Sequence, residues 1–297
     1  MCYTQSKVAA KTGLNPAVIS QYLKGVYNGN IDNVEAAINN FITRITREGG
    51  KDKSREVKAR FVKTQLSSNC LTLLRNTHLD ADIGVIYGNA GLGKSMVLRQ
   101  YASSYKDVIL IEADLGYTTK VLLQELCDSL GVNKRGNIHE LTENSITALH
   151  DTGWLVLIDE AELLPYRALE AMRRIHDRAG AGVVLAGMPR LLLNLKGRRG
   201  EYAQLYSRMG MAIDLDREKA RHDRTDFDRI LVSLLPTNDD ESNIKMLPEL
   251  ADAFYKALKG NYRRLFKLAR GVVRASGIGD QGISVALIEE YSSMLIN

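Results

Sequence analysis

The run Gly88-Asn-Ala-Gly-Leu-Gly-Lys-Ser95 fits the spacing G-x-x-x-x-G-K-[ST] at every fixed position. Glycines let backbone N–H groups turn inward around phosphate oxygens, and a helix that follows points its positive end at the same anion. The lysine would reach the β- and γ-phosphates, and the serine hydroxyl would be a ligand of Mg²⁺. We therefore expect ATP and Mg²⁺ to bind at this loop. Its candidate contact residues are Gly88, Asn89, Ala90, Gly91, Leu92, Gly93, Lys94, Ser95 and Met96.

The residues on either side of the loop favour a site over a chance match. Ile83-Gly-Val-Ile-Tyr87 is an apolar run of strand type, and residues 96–102 carry apolar side chains at helical spacing. A strand, a glycine loop and a helix in this order are the setting in which the pattern binds phosphate. The alternative is an ordinary glycine-rich turn between a strand and a helix.

A second stretch supplies acidic side chains. Trp154-Leu-Val-Leu-Ile-Asp159-Glu160 is an apolar run that ends in two carboxylates. An acid at the end of a buried strand is costly unless something pairs with it, and nucleotide-bound Mg²⁺ would be such a partner. We expect Asp159 to hold the metal, with Ser95, and Glu160 to polarise the attacking water. The alternative is a strand that ends in a solvated turn.

The composition narrows the class of protein. The chain has 297 residues, 45% of them apolar, which is enough to build a core. No run approaches the roughly 18 to 20 apolar residues of a membrane helix, and the first residues lack the apolar segment of a signal peptide. Three scattered cysteines disfavour a disulfide framework or a zinc site. We therefore expect a protein of a reducing cytoplasm, with no membrane partner.

The order of apolar segments predicts an α/β fold that is followed by helices. Strand-like and helix-like segments alternate after Phe61, which is typical of a parallel sheet with flanking helices. From Arg217 onward the pattern is helical, and a polar, glycine-broken stretch precedes Phe61. The predicted strands are 83–87, 108–113, 154–159, 183–186 and 211–215. The predicted helices are 94–104, 119–130, 141–151, 166–178, 188–196, 226–235, 247–258, 262–275 and 284–296. The predicted domains are 1–48, a linker at 49–60, 61–216 and a helical lid at 217–297.

The first 48 residues predict a small helical unit. The spacing of Ala9, Gly13 and Ile19 resembles a helix-turn-helix, in which a small residue lets two helices approach, a glycine makes the turn and a branched residue fills the core. Ten Lys and Arg against five Asp and Glu up to residue 60 favour DNA as a partner. The alternative is a helical hairpin with no role in DNA binding. The face offered to a DNA groove would hold Ala17, Ser20, Gln21 and Lys24.

The ordered motifs resemble the AAA+ ATPases over residues 60–275. They are the glycine loop, Asp159-Glu160, Ser207-Arg208 before the last strand, and Gly260-Asn-Tyr-Arg263 at the start of a lid helix. The resemblance implies a catalytic role for Lys94 and Glu160. It also implies that Arg208 reaches a neighbouring subunit's nucleotide as an arginine finger and that Arg263 touches the γ-phosphate. The alternative for Arg208 is an ordinary surface arginine.

The same resemblance points to two loops at one edge of the sheet. Residues 114–120 face the central channel in ring ATPases, which would make Thr118, Thr119 and Lys120 contacts to DNA phosphates. The alternative for this loop is an ordinary N-capped helix start. Met188 stands where these enzymes carry a first sensor, and methionine cannot orient a water by hydrogen bonding. We therefore expect that the backbone does this work or that hydrolysis is slow.

Within the AAA+ group the chain is similar to the transposition protein B family of phage Mu. The similarity lies in Tyr27-Asn-Gly29 after the helix-turn-helix, in Phe61-Val-Lys-Thr-Gln65, in Leu157-Ile-Asp-Glu-Ala-Glu162 and in Leu205-Tyr-Ser-Arg208. It implies ATP-dependent assembly into a ring or helical filament on double-stranded DNA, with little sequence preference. It also implies selection of target DNA and activation of a transposase, with ATP hydrolysis driving disassembly.

Two other interpretations share the nucleotide motifs. One is another DNA-remodelling ATPase, such as a helicase loader or replication initiator, which would recruit a helicase rather than stimulate a transposase. The other is a transcription regulator that senses ATP, which would bind specific sequences through residues 9–24 and hydrolyse little ATP.

Overall fold

The computed structural model describes residues 4–49, 57, 59–197, 206–235, 248–258, 261–278 and 282–295. Contacts between residues divide the chain into two compact units, 1–56 and 57–297. Much of the predicted linker, Leu205, residues 236–247 and Gly260 lie outside the described residues. The domain boundaries at 48, 60 and 216 stay predictions.

The first unit consists of three helices, named here α1 (Gln5–Thr12), α2 (Pro16–Leu23) and α3 (Ile31–Gly49). Ala9 and Ile19 are buried, and Gly13 ends α1 in a left-handed conformation with φ 73°. The Asn15 side chain accepts a hydrogen bond from the Ala17 N–H at 2.9 Å and so caps α2. The glycine and the capping asparagine therefore account for where α1 ends and where α2 begins.

A five-stranded parallel sheet forms the centre of the second unit. The strands lie side by side in the order β2-β3-β4-β1-β5, so β4 separates β1 from β3. All five strands occur where the sequence predicted them, with ends that differ by at most two residues. Their bounds are β1 Ile83–Tyr87, β2 Val108–Glu112, β3 Leu155–Asp159, β4 Gly182–Gly187 and β5 Met209–Asp214.

Helices cover both faces of this sheet. Alternate residues of β3 point to opposite faces, so Val156 and Ile158 join one apolar core and Leu155 and Leu157 join the other. The covering helices are α4 Gln65–Leu79, α5 Lys94–Ser104, α6 Thr119–Ser129, α7 Ile138–Leu149, α8 Tyr166–Ala179 and α9 Arg190–Lys196. Parallel strands that are buried on both faces and joined by helices confirm the predicted α/β fold.

Helix α4 approaches β1 closely. A methyl group at Gly84 would lie 2.6 Å from Thr77 Oγ1 and 2.9 Å from Leu73, so only glycine fits at this crossing. Leu73 and Thr77 are both buried. The apolar run 83–87 therefore needed its glycine for packing rather than for a turn.

Within the described ranges, four helices follow the sheet and enclose a third apolar core, which includes Phe227, Phe254 and Leu268. The first starts eleven residues before its predicted start at Asp226, because Asp214 caps it and ion pairs such as Arg221–Glu218 support its polar first half. No helix in the described ranges is both long enough and apolar enough to cross a membrane. The four helices are α10 Leu215–Leu234, α11 Pro248–Leu258, α12 Tyr262–Ile278 and α13 Val285–Ser293.

Candidate nucleotide-binding site

The glycine loop joins β1 to α5 in the conformation that a phosphate cradle requires. Gly91 and Gly93 have φ values of 87° and 92°, in the left-handed region where a side chain is strained. Lys94 begins α5, is only 9% exposed, and its ammonium donates to the Gly88 and Asn89 carbonyls at 2.6 and 3.0 Å. The loop thus holds its lysine inside the turn.

The end of β3 places two carboxylates beside the loop. Asp159 is 3% exposed, and burial raises its pKa, against hydrogen bonds from the Ser95 hydroxyl and the Glu160 N–H that lower it. Glu160 has φ 54°, a strained conformation for this residue type, and its side chain is exposed. The sheet therefore brings together four predicted residues, Lys94, Ser95, Asp159 and Glu160.

The oxygens of Ser95 and Asp159 fit a magnesium ion. Mg²⁺ in phosphate-transfer sites takes one or two protein oxygens and completes its shell with substrate phosphates and water. Within the described ranges, no cluster of three or more His, Cys, Asp or Glu could hold a metal by itself. The hydroxyl–carboxylate pair thus has the donor chemistry of a site that is complete only with a nucleotide.

Burial and charge oppose each other at Lys94. Burial lowers the pKa of the ammonium, while the carboxylates of Glu162, Glu160 and Asp159 raise it, in that order of size. A cation surrounded by carboxylates at the end of parallel strands is suited to bind a polyphosphate together with a divalent cation.

A small pocket with a cavity volume of about 50 Å³ opens beside the loop. Phe61, Leu92 and Tyr262 supply apolar surface, and Cys70 lines it with a thiol whose pKa burial raises to about 12. The apolar lining next to a phosphate loop suits a nucleotide base.

The start of α12 lies against the glycine loop. A methyl group at Gly91 would lie 2.8 Å from Asn261 Oδ1 and 3.2 Å from Arg263 Cβ. Asn261 also accepts a hydrogen bond from the Arg264 N–H, which caps the helix. Arg263 is exposed at this position. The structure thus brings the predicted sensor arginine to the loop, although it lies 172 positions after Gly91 in the sequence.

Asp216 is a contact residue that the sequence analysis missed. Its carboxylate accepts from both the Asn89 backbone N–H and the Asn89 side-chain amide, each at 2.9 Å. Asp216 lies in the first turn of α10, so this pair ties the glycine loop to the helix that leads into the lid. No local motif marks such a contact.

Arg208 lies apart from these residues. It precedes β5, its side chain is 59% exposed, and its Nε lies 3.6 Å from Asp177 Oδ1 on α8. The finger role predicted for Arg208 concerns a neighbouring subunit's nucleotide and stays a prediction.

The loop before α6 presents only part of its predicted DNA contacts. Thr118 Oγ1 accepts from the Val121 N–H at 3.3 Å and so caps α6. Thr119 is 8% exposed, whereas Thr118 and Lys120 are exposed. The hydroxyl of Thr119 therefore has little surface to offer a phosphate, and the surface available here consists of Thr118 and Lys120.

The predicted DNA face of the first unit is largely open to solvent. Ala17, Gln21 and Lys24 are exposed, and Ser20 is half-buried. Exposure is required for a groove contact but does not distinguish it from an ordinary helix surface. The assignment of these four residues to DNA stays a prediction.

One face of α12 forms a cationic stripe, defined by Arg263, Lys267, Arg270 and Arg274. All four are exposed, recur every three or four residues, and form no ion pair within the described part of the chain. Residues 262–278 contain no Asp or Glu. The stripe runs about 16 Å along the helix. Spacing of basic residues at i, i+4, i+7 and i+11 could have revealed it from the sequence.

Comparison with known proteins identifies a family model and relatives that this chain resembles. A model of the AAA domain family matches residues 77–195. The Mu-like prophage FluMu DNA transposition protein B of Haemophilus influenzae is 29% identical over 231 residues, which cover 73% of this chain and 76% of that protein. The ATP-dependent target DNA activator B of Escherichia phage Mu is 28% identical over 223 residues, covering 73% and 69%.

A solved structure supports the fold. The Aeropyrum pernix ORC2 protein, in its ADPNP–ADP complexes, superposes with a TM-score of 0.60 at 16% identity, over 82% of this chain and 71% of that one. Together with the loop, the β3 carboxylates and the lid helix on Gly91, these matches confirm the expected resemblance. The chain thus carries a segment that matches the AAA domain family, and it resembles the transposition protein B family of phage Mu.

Proposed function

We propose that the protein binds double-stranded DNA in an ATP-dependent manner, selects target DNA and activates a transposase. It assembles into oligomers on DNA, in a ring or a helical filament, with little sequence preference. ATP hydrolysis drives disassembly. Support comes from the relatives, two of which are named ATP-dependent target DNA activators.

The observation that carries the proposal is the meeting of Lys94, Asp159 and the α12 start around one glycine loop. The loop N–H groups and Lys94 bind the phosphates, and the Ser95–Asp159 pair holds Mg²⁺, which neutralises phosphate charge when bound. Because Arg263 starts the lid helix that touches Gly91, occupation of the loop is coupled to the position of the lid.

Glu160 is placed to act as the base in hydrolysis. Its exposed carboxylate follows the buried Asp159, whose Oδ1 accepts from the Glu160 N–H at 3.0 Å and holds the turn. Water oxygen bonds to the γ-phosphorus, the bond from that phosphorus to the β–γ bridging oxygen breaks, and the water proton passes to Glu160. ADP and inorganic phosphate are the products.

Assembly between subunits would involve Arg208. A guanidinium that reaches a neighbour's γ-phosphate gives the ATP-bound assembly a contact that the ADP-bound assembly lacks. Its 59% exposure leaves Arg208 accessible to another subunit. Loss of the γ-phosphate removes the partner of this charge and loosens the assembly.

The cationic stripe supports DNA binding. Four exposed cations on one helix face suit phosphate contacts, which give affinity without reading bases. Lys120 and the N-terminal helix α2 are the other candidate surfaces. A binder of this kind covers random DNA evenly and loses affinity steeply with salt.

The decisive experiment is electron microscopy of the purified protein with random duplex DNA, with and without ATP. ATP-dependent coating of the DNA is expected, and a monomer in excess ATP and DNA would refute the proposal. Glu160→Gln is expected to give longer-lived assemblies because hydrolysis is slowed. The matched control is Glu143→Gln, which removes an exposed carboxylate paired with Arg178. Equal lifetimes for the assemblies of both variants would show that ATP hydrolysis does not drive disassembly.

A second candidate is an ATP-sensing regulator, which the compact N-terminal helical unit favours. It predicts protection of specific sequences and no stimulation of strand transfer by a transposase. A helicase loader predicts recruitment of a helicase instead. Footprinting on random and genomic DNA, combined with a strand-transfer assay, separates the three functions.

A further inference from the structure

Glu162 is a buried acid that the mechanism above does not use. It lies in the 3₁₀ turn Ala161–Leu163 that follows β3, and it is 5% exposed. Its Oε2 accepts no hydrogen bond from any group in the described part of the chain. Leaving a buried carboxylate oxygen without a donor is costly, so such a group calls for a functional explanation.

The surroundings of Glu162 place it behind the glycine loop. A methyl group at Gly187 would overlap Glu162 Oε2, so the carboxylate packs directly on the last residue of β4. The Gly187 carbonyl accepts from the Gly88 N–H at 3.2 Å. The acid therefore lies where the tip of β4 meets the first residue of the loop.

Lys94 has a donor available for this oxygen. An ammonium carries three N–H donors, and two of them reach the carbonyls of Gly88 and Asn89. Of the acids around Lys94, Glu162 has the largest electrostatic effect on the ammonium. Glu162 and Lys94 thus carry opposite charges around the contact between Gly88 and Gly187, with one unassigned acceptor and one unassigned donor, and they form no ion pair with each other in the described part of the chain.

The residue after Gly187 gives a second reason to expect a role for the Glu162 carboxylate. Met188 follows the β4 tip, and its thioether donates no hydrogen bond and accepts one only weakly. A polar side chain on the γ-phosphate side of the loop at this strand tip must therefore come from another element. Glu162 is the buried carboxylate that packs on that tip.

We propose that Glu162 is a positioning residue that acts through Lys94, anchoring the third ammonium N–H while the other donors turn to the β- and γ-phosphates. This inference deepens the proposed ATPase function and rests on it. Glu162 touches neither the phosphates nor the attacking water. Loss of Glu162 removes the anchor of Lys94, so hydrolysis slows. Loss of Glu162 also removes a negative charge that repels the γ-phosphate, so ATP binding does not weaken.

The test uses the full-length protein and Glu162→Gln, with Glu143→Gln as the matched control. Single-turnover hydrolysis of ATP, with protein in excess, is expected to slow by about tenfold. The dissociation constants of ATP and ADP, measured by calorimetry with Mg²⁺, are expected to stay within about twofold. Glu162→Asp keeps the charge one methylene shorter and is expected to recover part of the rate.

Three results would overturn the inference: slowing by less than about fivefold, a parallel weakening of ATP and ADP binding, or no recovery by Glu162→Asp. If Glu162→Gln fails to fold, Glu162→Asp is measured in its place. A single-turnover rate of Glu162→Asp that equals the wild-type rate then overturns the inference. Failure of the proposed ATPase activity gives a different result, because the wild-type protein would then not hydrolyse ATP in the same assay.

Discussion

Asp226 links two parts of the second unit, and its replacement gives a stability change that can be worked out from the contacts. Its carboxylate lies on α10, is 1% exposed, and accepts from the backbone N–H groups of Gln65 and Leu66 at 2.8 and 2.9 Å. These N–H groups belong to the first turn of α4 and have no partner within that helix. Asp226→Ala removes both acceptors at once.

The expected loss follows from the burial of each donor. Leu66 is buried, so its N–H loses a bond to a charged acceptor and stays without water, at about 1.5–3 kcal/mol. Gln65 is exposed, so water replaces the lost acceptor there and the loss is about 0.5–1 kcal/mol. Removal of the buried charge itself returns part of this energy. We expect a net fall of about 2–3 kcal/mol in the free energy of unfolding.

Urea denaturation measures the change. The single tryptophan, Trp154, reports on the sheet, and far-UV circular dichroism reports on the helices. Asp226→Asn keeps one acceptor oxygen and should lose about 1 kcal/mol. Asp228→Ala is the matched control, because it removes an exposed carboxylate paired with Arg224 and should lose less than about 0.5 kcal/mol. Equal unfolding midpoints for Asp226→Ala and Asp228→Ala would refute the capping role.

Three further predictions concern the nucleotide-binding site and the proposed DNA surface. Lys94→Ala should raise the ATP dissociation constant by about 100-fold, measured by calorimetry, because the phosphates lose their buried cation; an unchanged constant would exclude the loop as the site. Asp159→Asn should abolish Mg²⁺-dependent hydrolysis yet raise the melting temperature at pH 7, because burial raises the folded-state pKa of Asp159 and the ionised form is destabilising. That gain should vanish below about pH 4, where the wild-type carboxyl is protonated, and a gain that persists there would contradict the assigned cause. Replacing Lys267 and Arg270 with Ala should reduce the salt dependence of DNA binding by about 0.9 for each lost phosphate contact, while Arg178→Ala, on α8, should leave it unchanged; equal slopes would remove the stripe from the DNA surface.

Features that depend on neighbouring residues could be predicted from the sequence. The glycine loop is eight consecutive residues, and its strand and helix are encoded by adjacent apolar patterns, so β1 and α5 match their predicted bounds. The five strands follow for the same reason. The start of α10 was missed because its first half is polar and held by side-chain ion pairs rather than by an apolar stripe.

The tertiary structure decided which residues of distant elements meet. The contacts of Asp216 with Asn89, and of Asp226 with Leu66, join residues 127 and 160 positions apart. Glu162 reaches Gly187 only because β4 lies next to β3 in the sheet. Thr119 became buried because it occupies the inward side of α6, which its local motif did not specify.

The sequence by itself thus determined where a phosphate loop, a carboxylate strand end and a helical lid occur, because each depends on residue types a few positions apart. The tertiary structure alone decided that the lid helix lies on Gly91 and that an unpaired acid lies behind Lys94. The physical reason is that burial and charge pairing depend on neighbours in space, and the packing of the sheet and helices chooses those neighbours.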